Sequence, residues 1–368
     1  VKGLILSGGA GTRLRPITHT SAKQLVPIAN KPILFYGIED MAAVGITDIG
    51  IIVGDTRDEI MAAVGDGSRF GVEVTYIPQD APRGLAHCVL IAADFLGDDD
   101  FVMYLGDNML EEGLDHFVAG FAADAARGHR LALDGEHRSA AAQILLKEVP
   151  NPTAFGVAEV DATGEVVRLV EKPADPPSNL ALVGVYLFTP RILDAVRSIA
   201  PSARGELEIT DAIQWLIDQG DRVRHEVLTG WWIDTGKKDP LLECNRLVLD
   251  TLEPAVRGHV DADSIVEGRV VIEEGAEIVR SRVRGPGIIG AGTRVVDSYI
   301  GPYSSIASGC VIIDAELDHS VLLERCRVTG PARITDSLMG RDSEVCRADA
   351  KPRATRLMLG DHSRVELE

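Results

Sequence analysis

Apolar positions fall into short β-type runs separated by helix-length stretches over the first third of the chain. Lys2 to Ser7, Ile46 to Val53, Val72 to Ile77 and Phe101 to Leu105 read as strands, and Ile33 to Val44, Asp58 to Val64 and Leu85 to Phe95 as helices. Helical crossovers between buried strands imply a parallel sheet. From Gln143 the rhythm becomes mixed: QILLKEV, GVAEVD, EVVRLVEK and LVGVYLF are strand-like, followed by helices from Pro190 to Ile199 and from Glu208 to Asp218. This stretch reads as the second half of the same domain. Between the halves, Ala122 to Ala142 is rich in Ala, Arg, Asp and Gly with weak periodicity, which suggests a helix end and a surface loop.

A linking helix is expected from Leu241 to Thr251, and after Pro254 the texture changes. Aromatic residues almost vanish. Runs such as Val270 to Ile278, Ile288 to Val296, Tyr299 to Ile306 and Ser308 to Ile313 place an aliphatic residue about every six positions, with small residues beside it. Aliphatic side chains stacked in a narrow core with tight corners make a β-helix, with an ordinary β-sandwich as the alternative. The pattern fades after about Asp314, where charges interrupt it. The expected organisation is therefore an α/β domain over 1–240, a linking helix over 241–256 and a hexapeptide-repeat β-helix over 257–368.

With 368 residues, the chain is long enough for two cored domains, and no apolar run approaches the length of a bilayer span. A balance of 37 Lys+Arg against 56 Asp+Glu, a formal charge of −19, repels nucleic acid and anionic membranes. The five cysteines are scattered without a CxxC pair, so neither a disulfide framework nor a zinc knuckle is indicated. Together with the absence of a basic, signal-like start, this points to the cytoplasm.

The candidate chemistry begins just after the first strand, in Gly8-Gly9-Ala10-Gly11-Thr12-Arg13-Leu14-Arg15-Pro16. Its glycines let backbone amides approach an anion, as a phosphate loop must. It is not a dinucleotide fingerprint, because Leu14 stands where the third glycine belongs, nor a Walker loop, because no Gly-Lys-Ser/Thr follows. Arg13 and the downstream Lys23 instead supply two cations suited to a triphosphate. Asp107 sits at the carboxyl end of a strand, the edge where ligands gather in open α/β sheets. Asp234 lies in the apolar turn GWWIDTG. Together the two acids suit one Mg²⁺, which takes a couple of carboxylates with phosphate oxygens and water; each alone is equally a cap or turn residue. Lys172 at a strand end and Arg204 opening a helix are placed to reach a phosphate, although the RGELEITD stretch around Arg204 also reads as a capping sequence. The nine histidines form no HxH or HExxH spacing.

GGAGTRLRP with Lys23, IPQDAPRGLAH, YLGDN, FGVAEVD, VEKP, SNLALVGVYLF, RGELEITD and WWIDTG occur in that order over nearly all of residues 1–240. This series resembles the sugar-1-phosphate nucleotidylyltransferases, and among them the long form of the glucose-1-phosphate thymidylyltransferases. The resemblance implies a Rossmann-like mixed sheet followed by a left-handed parallel β-helix. It also implies reaction of dTTP with glucose 1-phosphate to give dTDP-glucose and pyrophosphate, with Mg²⁺ as cofactor, for deoxysugar biosynthesis. Leu6, Gly8, Gly9, Gly11, Thr12 and Arg13 would embrace the nucleotide, with Arg13 and Lys23 taking up charge as pyrophosphate leaves. Gln79 and Gly84 would read the pyrimidine edge, and Asp107 and Asp234 would hold the metal. Asn108, Gly156, Glu171, Asn179, Gly184 and Tyr186 would line the glucose, and Lys172 and Arg204 would bind its phosphate.

One stretch departs from the family: Gly128 to Ala142 is longer than usual between GDN and FGVAE, which puts specificity for plain glucose in question. Transfer from UTP, or to another sugar phosphate, is the nearest alternative, since one methyl and one hydroxyl separate the nucleotides. A hexapeptide acyltransferase would need a histidine such as His259, His319 or His362 in a matching loop, and none has one. A non-catalytic subunit would be expected to lack Arg13, Lys23, Asp107 or Asp234, and all four are present. The β-helix reads as a platform for a homo-oligomer.

Overall fold

The computed structural model describes residues 1–9, 11–19, 21–131, 139–330, 333–347 and 359–366, with 127–131 as backbone alone. By contact the chain divides into two units, Val1–Ala10 with Leu34–Trp232, and Gly11–Ile33 with Ile233–Glu368. The boundary expected near residue 240 follows chain order, whereas contact groups 11–33 with the C-terminal part.

The first unit is built on β1 (Lys2–Leu6), α1 (Ile33–Ala43), β2 (Asp48–Val53), α2 (Arg57–Val64), β3 (Glu73–Pro78), α3 (Leu85–Ile91), α4 (Ala93–Leu96) and β4 (Phe101–Leu105). It continues with α5 (Asp115–Leu131), β5 (Ala142–Glu148), β6 (Gly156–Val160), β7 (Val166–Glu171), β8 (Leu180–Phe188), α6 (Ile192–Ser198), α7 (Ile209–Asp218) and β9 (Val223–Val227). The nine strands form one sheet in the order β7-β6-β8-β4-β1-β2-β3, with β5 pairing β8 and β9 pairing β5. Strands β3, β2, β1 and β4 are parallel, and β8 runs antiparallel to β4, so the sheet is mixed as expected.

The central strands β1, β2 and β4 are buried along nearly their whole length, which is why they read as continuous apolar runs. Edge strand β3 alternates partly buried and exposed positions and ends at Pro78, tolerable where no further ladder bond is needed. In α7, Ile209, Ala212, Ile213 and Leu216 recur at helical spacing and are all buried, giving the helix one face for the core. The helix expected from Leu85 to Phe95 is divided at Ala92 into α3 and α4. Residues 132–138 of the long stretch before β5 lie outside the described residues.

In the second unit α8 (Lys238–Leu249) buries Leu241, Leu242, Cys244, Asn245, Val248 and Leu249. Beyond it, short strands stack in three parallel sheets of six, six and four strands, the pattern of a parallel β-helix. Equivalent residues pair one coil apart, as Val270 with Gly287 and Gly287 with Ser304, a separation of 17 residues where three six-residue repeats would give a slightly longer coil. The coils continue to the strand Glu344–Cys346, past the point where the sequence pattern fades. Inward positions there remain apolar, namely Leu317, Leu322, Cys326, Val328 and Met339. The interrupting charges pair between coils, as Arg325 does with Asp342 at 2.7 Å. Corner residues such as Arg280 (φ 43°) and Asp297 (φ 48°) adopt the left-handed conformation and are joined by a similar bidentate pair. Among the described residues, no helix is long and apolar enough to cross a membrane.

Candidate active site

In the first unit the candidate residues gather at the carboxyl ends of β1, β3 and β4. After Leu6 the chain turns through Ser7, whose amide still bonds to the Ile52 carbonyl at 3.0 Å, into Gly8. A Cβ on Gly8 would stand 2.5 Å from Gln79 Oε1, so the glycine is what lets the Gln79 amide lie against the loop. Gln79 follows β3; its Nε2 lies 3.3 Å from His87 Nδ1 and donates to Cys88 Sγ at 3.2 Å, both on α3. Burial, helped by Arg83, holds His87 below its ordinary value, so the ring favours the neutral form. Burial also pushes the Cys88 thiol up to about 12, which leaves it an inert packing group. Gly84 (φ 103°) precedes α3, and a Cβ there would meet the Leu207 carbonyl oxygen at 2.3 Å; that backbone is bonded on both sides of it, to Ala86 N and Arg83 O.

At the end of β4, Gly106 bonds back to Leu6 O at 3.0 Å and delivers the buried pair Asp107 and Asn108. Asn108 Nδ2 donates to Asp107 Oδ1 at 3.2 Å, and Asn108 Oδ1 accepts from Trp232 Nε1 at 2.6 Å. Gly184 lies where the register between β8 and β5 shifts, and a Cβ on it would meet Asn108 Oδ1 at 2.7 Å. Trp232, whose ring also packs against Phe155 at 5.1 Å with the planes tilted by 60°, belongs to the WWIDTG motif, where the sequence draws attention only to the neighbouring acid. Lys147 carries no motif signal in the sequence. Its ammonium donates to the carbonyls of Leu228, Thr229 and Gly230 and so fixes the approach to that motif.

The residues expected around the sugar phosphate form a second group. Gly156 and Glu171 are opposite one another in the β6–β7 register, and a Cβ on Gly156 would crowd Thr210 at 2.7 Å and Glu171 at 3.2 Å. Lys172 (φ 43°) and Arg204 each reach Glu171 Oε1 at 3.2 Å, and Arg204 also pairs with Glu206 and with the buried Glu208. Two cations are thus held side by side on one carboxylate. Asp211, in the first turn of α7, is raised by burial and by the charges of Glu208 and Glu171. Asn179 is exposed, with its carbonyl accepting from Val149 N. Tyr186 is placed in the core, stacked on Phe188 at 5.8 Å, and burial raises its hydroxyl.

In the second unit, Gly11 (φ 61°) opens the turn Thr12–Leu14, and its missing Cβ would approach Lys23 Cβ at 3.0 Å and Thr18 Cβ at 3.2 Å. Thr18 Oγ1 donates to Gly11 O at 2.6 Å, closing the loop on itself. Arg13 Nη2 lies 3.5 Å from Asp234 Oδ2, while Asp234 Oδ1 accepts from Gly236 N at 2.9 Å. Arg13, Lys23 and Asp234 therefore belong to the second unit, and Asp107 with the base and sugar candidates to the first.

The profile of the Nucleotidyl transferase family matches residues 2–251, and the chain belongs to that family. It is 58% identical to a glucose-1-phosphate thymidylyltransferase of Streptomyces griseus, over 100% of this chain and 99% of the relative. The corresponding Streptomyces antibioticus protein is 55% identical over the full length of both. Among solved structures, a Bacillus anthracis protein assigned as a glucose-1-phosphate thymidylyltransferase, in complex with sucrose, superposes with a TM-score of 0.61. It has 33% identity, covering 69% of this chain and 97% of that one. Members of this family join a nucleoside triphosphate to a sugar 1-phosphate and generally use a divalent metal.

The donor chemistry fits such a metal. Asp107 and Asp234 offer hard carboxylate oxygens, and among the described residues no cluster of three or more His, Cys, Asp or Glu is placed to hold an ion. As a hard oxygen donor, each carboxylate taken by itself suits a cation that keeps water and phosphate oxygens among its ligands.

Proposed function

We propose that the chain transfers the thymidylyl group of dTTP to glucose 1-phosphate. The observation that carries this reading is the full-length identity with the Streptomyces thymidylyltransferases. An oxygen of the sugar phosphate attacks the α-phosphorus in line. The new P–O bond forms as the bond to the β-phosphate's bridging oxygen breaks, and pyrophosphate leaves. The attacking oxygen is already an anion, so the step needs charge neutralisation and alignment rather than a general base.

In this reading the amides of Gly8, Gly9, Gly11 and Thr12 cradle the nucleotide phosphates, and Leu6 lies beneath them. Arg13 and Lys23 receive the charge that moves onto pyrophosphate. Gln79 and the backbone at Gly84 read the pyrimidine, while Asn108, Gly156, Glu171, Asn179, Gly184 and Tyr186 form the sugar's surroundings. Lys172 and Arg204, held ready on Glu171, take the sugar phosphate. Asp107 and Asp234 are the proposed ligands of Mg²⁺, which when bound supplies a charge screen and Lewis acid at the phosphates. Residues 1–240 act as the catalytic domain and 257–368 as a β-helix that assembles a homo-oligomer. The site of action is the cytoplasm, in supply of deoxysugars.

Pyrophosphate release with Mg²⁺, crossing dTTP, UTP, ATP, CTP and GTP with glucose 1-phosphate, tests the proposal. Preference for dTTP is expected. Turnover only with UTP or only with another sugar phosphate would move the specificity within the family, and silence with every pair would overturn the catalytic reading. Light scattering at several concentrations tests assembly, a monomer throughout being the contrary result.

A further inference from the structure

Four neighbouring strands in one sheet of the β-helix are buried on both faces. In the strands Val270–Ile272, Gly287–Ile289, Ser304–Ile306 and Val321–Leu322, the residues Val270, Ile272, Ile289, Ile306 and Leu322 belong to the prism core. The residues of the opposite face, Val271, Ile288, Ser305 and Val321, are covered as well. Ser305 is the polar member of that row. Its hydroxyl donates at 2.7 Å to Oδ1 of Asn245, which is 1% exposed on α8.

The same Asn245 oxygen accepts from the backbone amide of Ala29 at 2.9 Å. Ala29 (φ 48°) and Asn30 (φ 62°) form the two-residue turn of a small hairpin in which Pro27 pairs Pro32 and Ile28 pairs Lys31. Positive φ at both central positions is the geometry of a primed hairpin turn, and alanine enters it reluctantly. The turn is therefore held from outside, by Asn245 at Ala29 and by a 2.8 Å bond from Asn30 Nδ2 to the Ile306 carbonyl. The hairpin leads straight back to Lys23, whose carbonyl accepts from Val26 N at 3.2 Å, and Val26 O in turn accepts from Ile33 N.

We infer that Asn245 is a positioning residue that uses the β-helix, through Ser305, to hold the hairpin behind Lys23 and so to place the loop's cations for departing pyrophosphate. The β-helix then has a part in turnover separate from any role in assembly. This rests on the thymidylyl-transfer reading above.

The test uses the full chain with Asn245→Leu, Asn245→Asp and Ser305→Ala. Asn245→Leu removes the acceptor, Asn245→Asp keeps it, and Ser305→Ala removes one bond with little change of volume. Expected for Asn245→Leu is a fall in kcat of about 10- to 100-fold, the scale on which small misplacements act. The KM for glucose 1-phosphate should stay within about twofold, because the residues assigned to it are elsewhere. Asn245→Asp should recover part of the loss, since it keeps the acceptor but loses the 3.4 Å bond from Nδ2 to the Tyr303 carbonyl, and Ser305→Ala should show a smaller fall of the same kind. Hydrogen exchange over residues 23–33 should rise in Asn245→Leu and Ser305→Ala, a readout that needs no turnover. Unchanged exchange in a folded variant overturns the inference, as does a rise in both KM values alongside the fall in kcat. If Asn245→Leu does not fold, Ser305→Ala decides by the same two readouts. Failure of the unsubstituted chain to turn over any substrate pair falls on the functional reading instead.

Discussion

Arg13 and Asp234 form an ion pair, with Nη2 3.5 Å from Oδ2, although one belongs to the glycine-rich loop and the other to the WWIDTG turn. Gly236 closes the arrangement, since a Cβ there would fall 2.8 Å from Arg13 Nη2 and 2.9 Å from Asp234 Oδ1. The Arg13 side chain is 55% exposed and that of Asp234 27%, so solvent screens the pair and it adds little to stability. Its interest is that both partners have proposed roles in turnover. In the proposed reading the pair would keep each charge matched until substrate phosphates and metal compete for them.

Replacing Asp234 by Asn should therefore spare the fold and remove the activity. A loss of at least about 100-fold in kcat is expected, the scale for deleting one electrostatic contributor, with a melting temperature within a few degrees of the parent. Steady-state kinetics over a range of Mg²⁺ concentrations, with a thermal melt, measure both. Retained kcat would remove Asp234 from the site.

Gly8→Ala addresses the base-reading side. The new methyl meets Gln79 Oε1 at 2.5 Å, the far end of a flexible side chain, so the amide shifts rather than the backbone. Stability should fall by only about 1 kcal/mol. The KM for dTTP should rise by about tenfold as Gln79 leaves its place beside His87 and Cys88, while that for glucose 1-phosphate hardly moves. Equal effects on both substrates would argue against Gln79 as the base reader.

Trp232→Phe keeps an aromatic ring against Phe155 but deletes the donor to Asn108 Oδ1. An acceptor on a buried side chain then loses its partner, at a cost of about 1–3 kcal/mol. Urea denaturation reads this directly, and an unchanged midpoint would show that the indole bond contributes nothing.

Acid should weaken the first unit partly through Asp124 on α5. Burial tends to raise this carboxyl, but the Ala140 amide and the Arg222 guanidinium prevail and hold it below the ordinary carboxylate value. A depressed folded value means that the stabilisation is complete above the unfolded value of about 3.9 and is lost as pH falls through the lower folded one. Urea midpoints between about pH 2 and 5 should therefore drop less steeply for Asp124→Asn than for the parent, from a lower starting stability. Parallel slopes would remove Asp124 from the acid response.

Much of the fold was legible because burial leaves a local imprint. Strands covered on both faces, such as β1 and β2, appear as unbroken apolar runs, and the inward row of the β-helix as aliphatic residues at short intervals. The 17-residue coil and its continuation past Asp314 were less visible, because paired charges on the outside of the later coils mask an inward row that is intact. The motif glycines and charges of the candidate site were readable as residue types. Trp232 and Lys147 were not, since nothing in their spacing says that an indole finds Asn108 or that one ammonium gathers the Leu228, Thr229 and Gly230 carbonyls.

By itself the sequence determined that buried apolar runs build a mixed sheet and that regularly spaced aliphatic residues build stacked coils, and which glycine-rich, basic and acidic groups the chain carries. Tertiary structure alone decided that Arg13 meets Asp234, that Gly8 must be bare for Gln79, and that the hairpin behind Lys23 is tied through Asn245 to Ser305. Periodicity follows from the backbone's own repeat and is written into neighbouring residues. A hydrogen bond or ion pair between distant segments depends on ångström-scale placement, which every intervening element sets jointly.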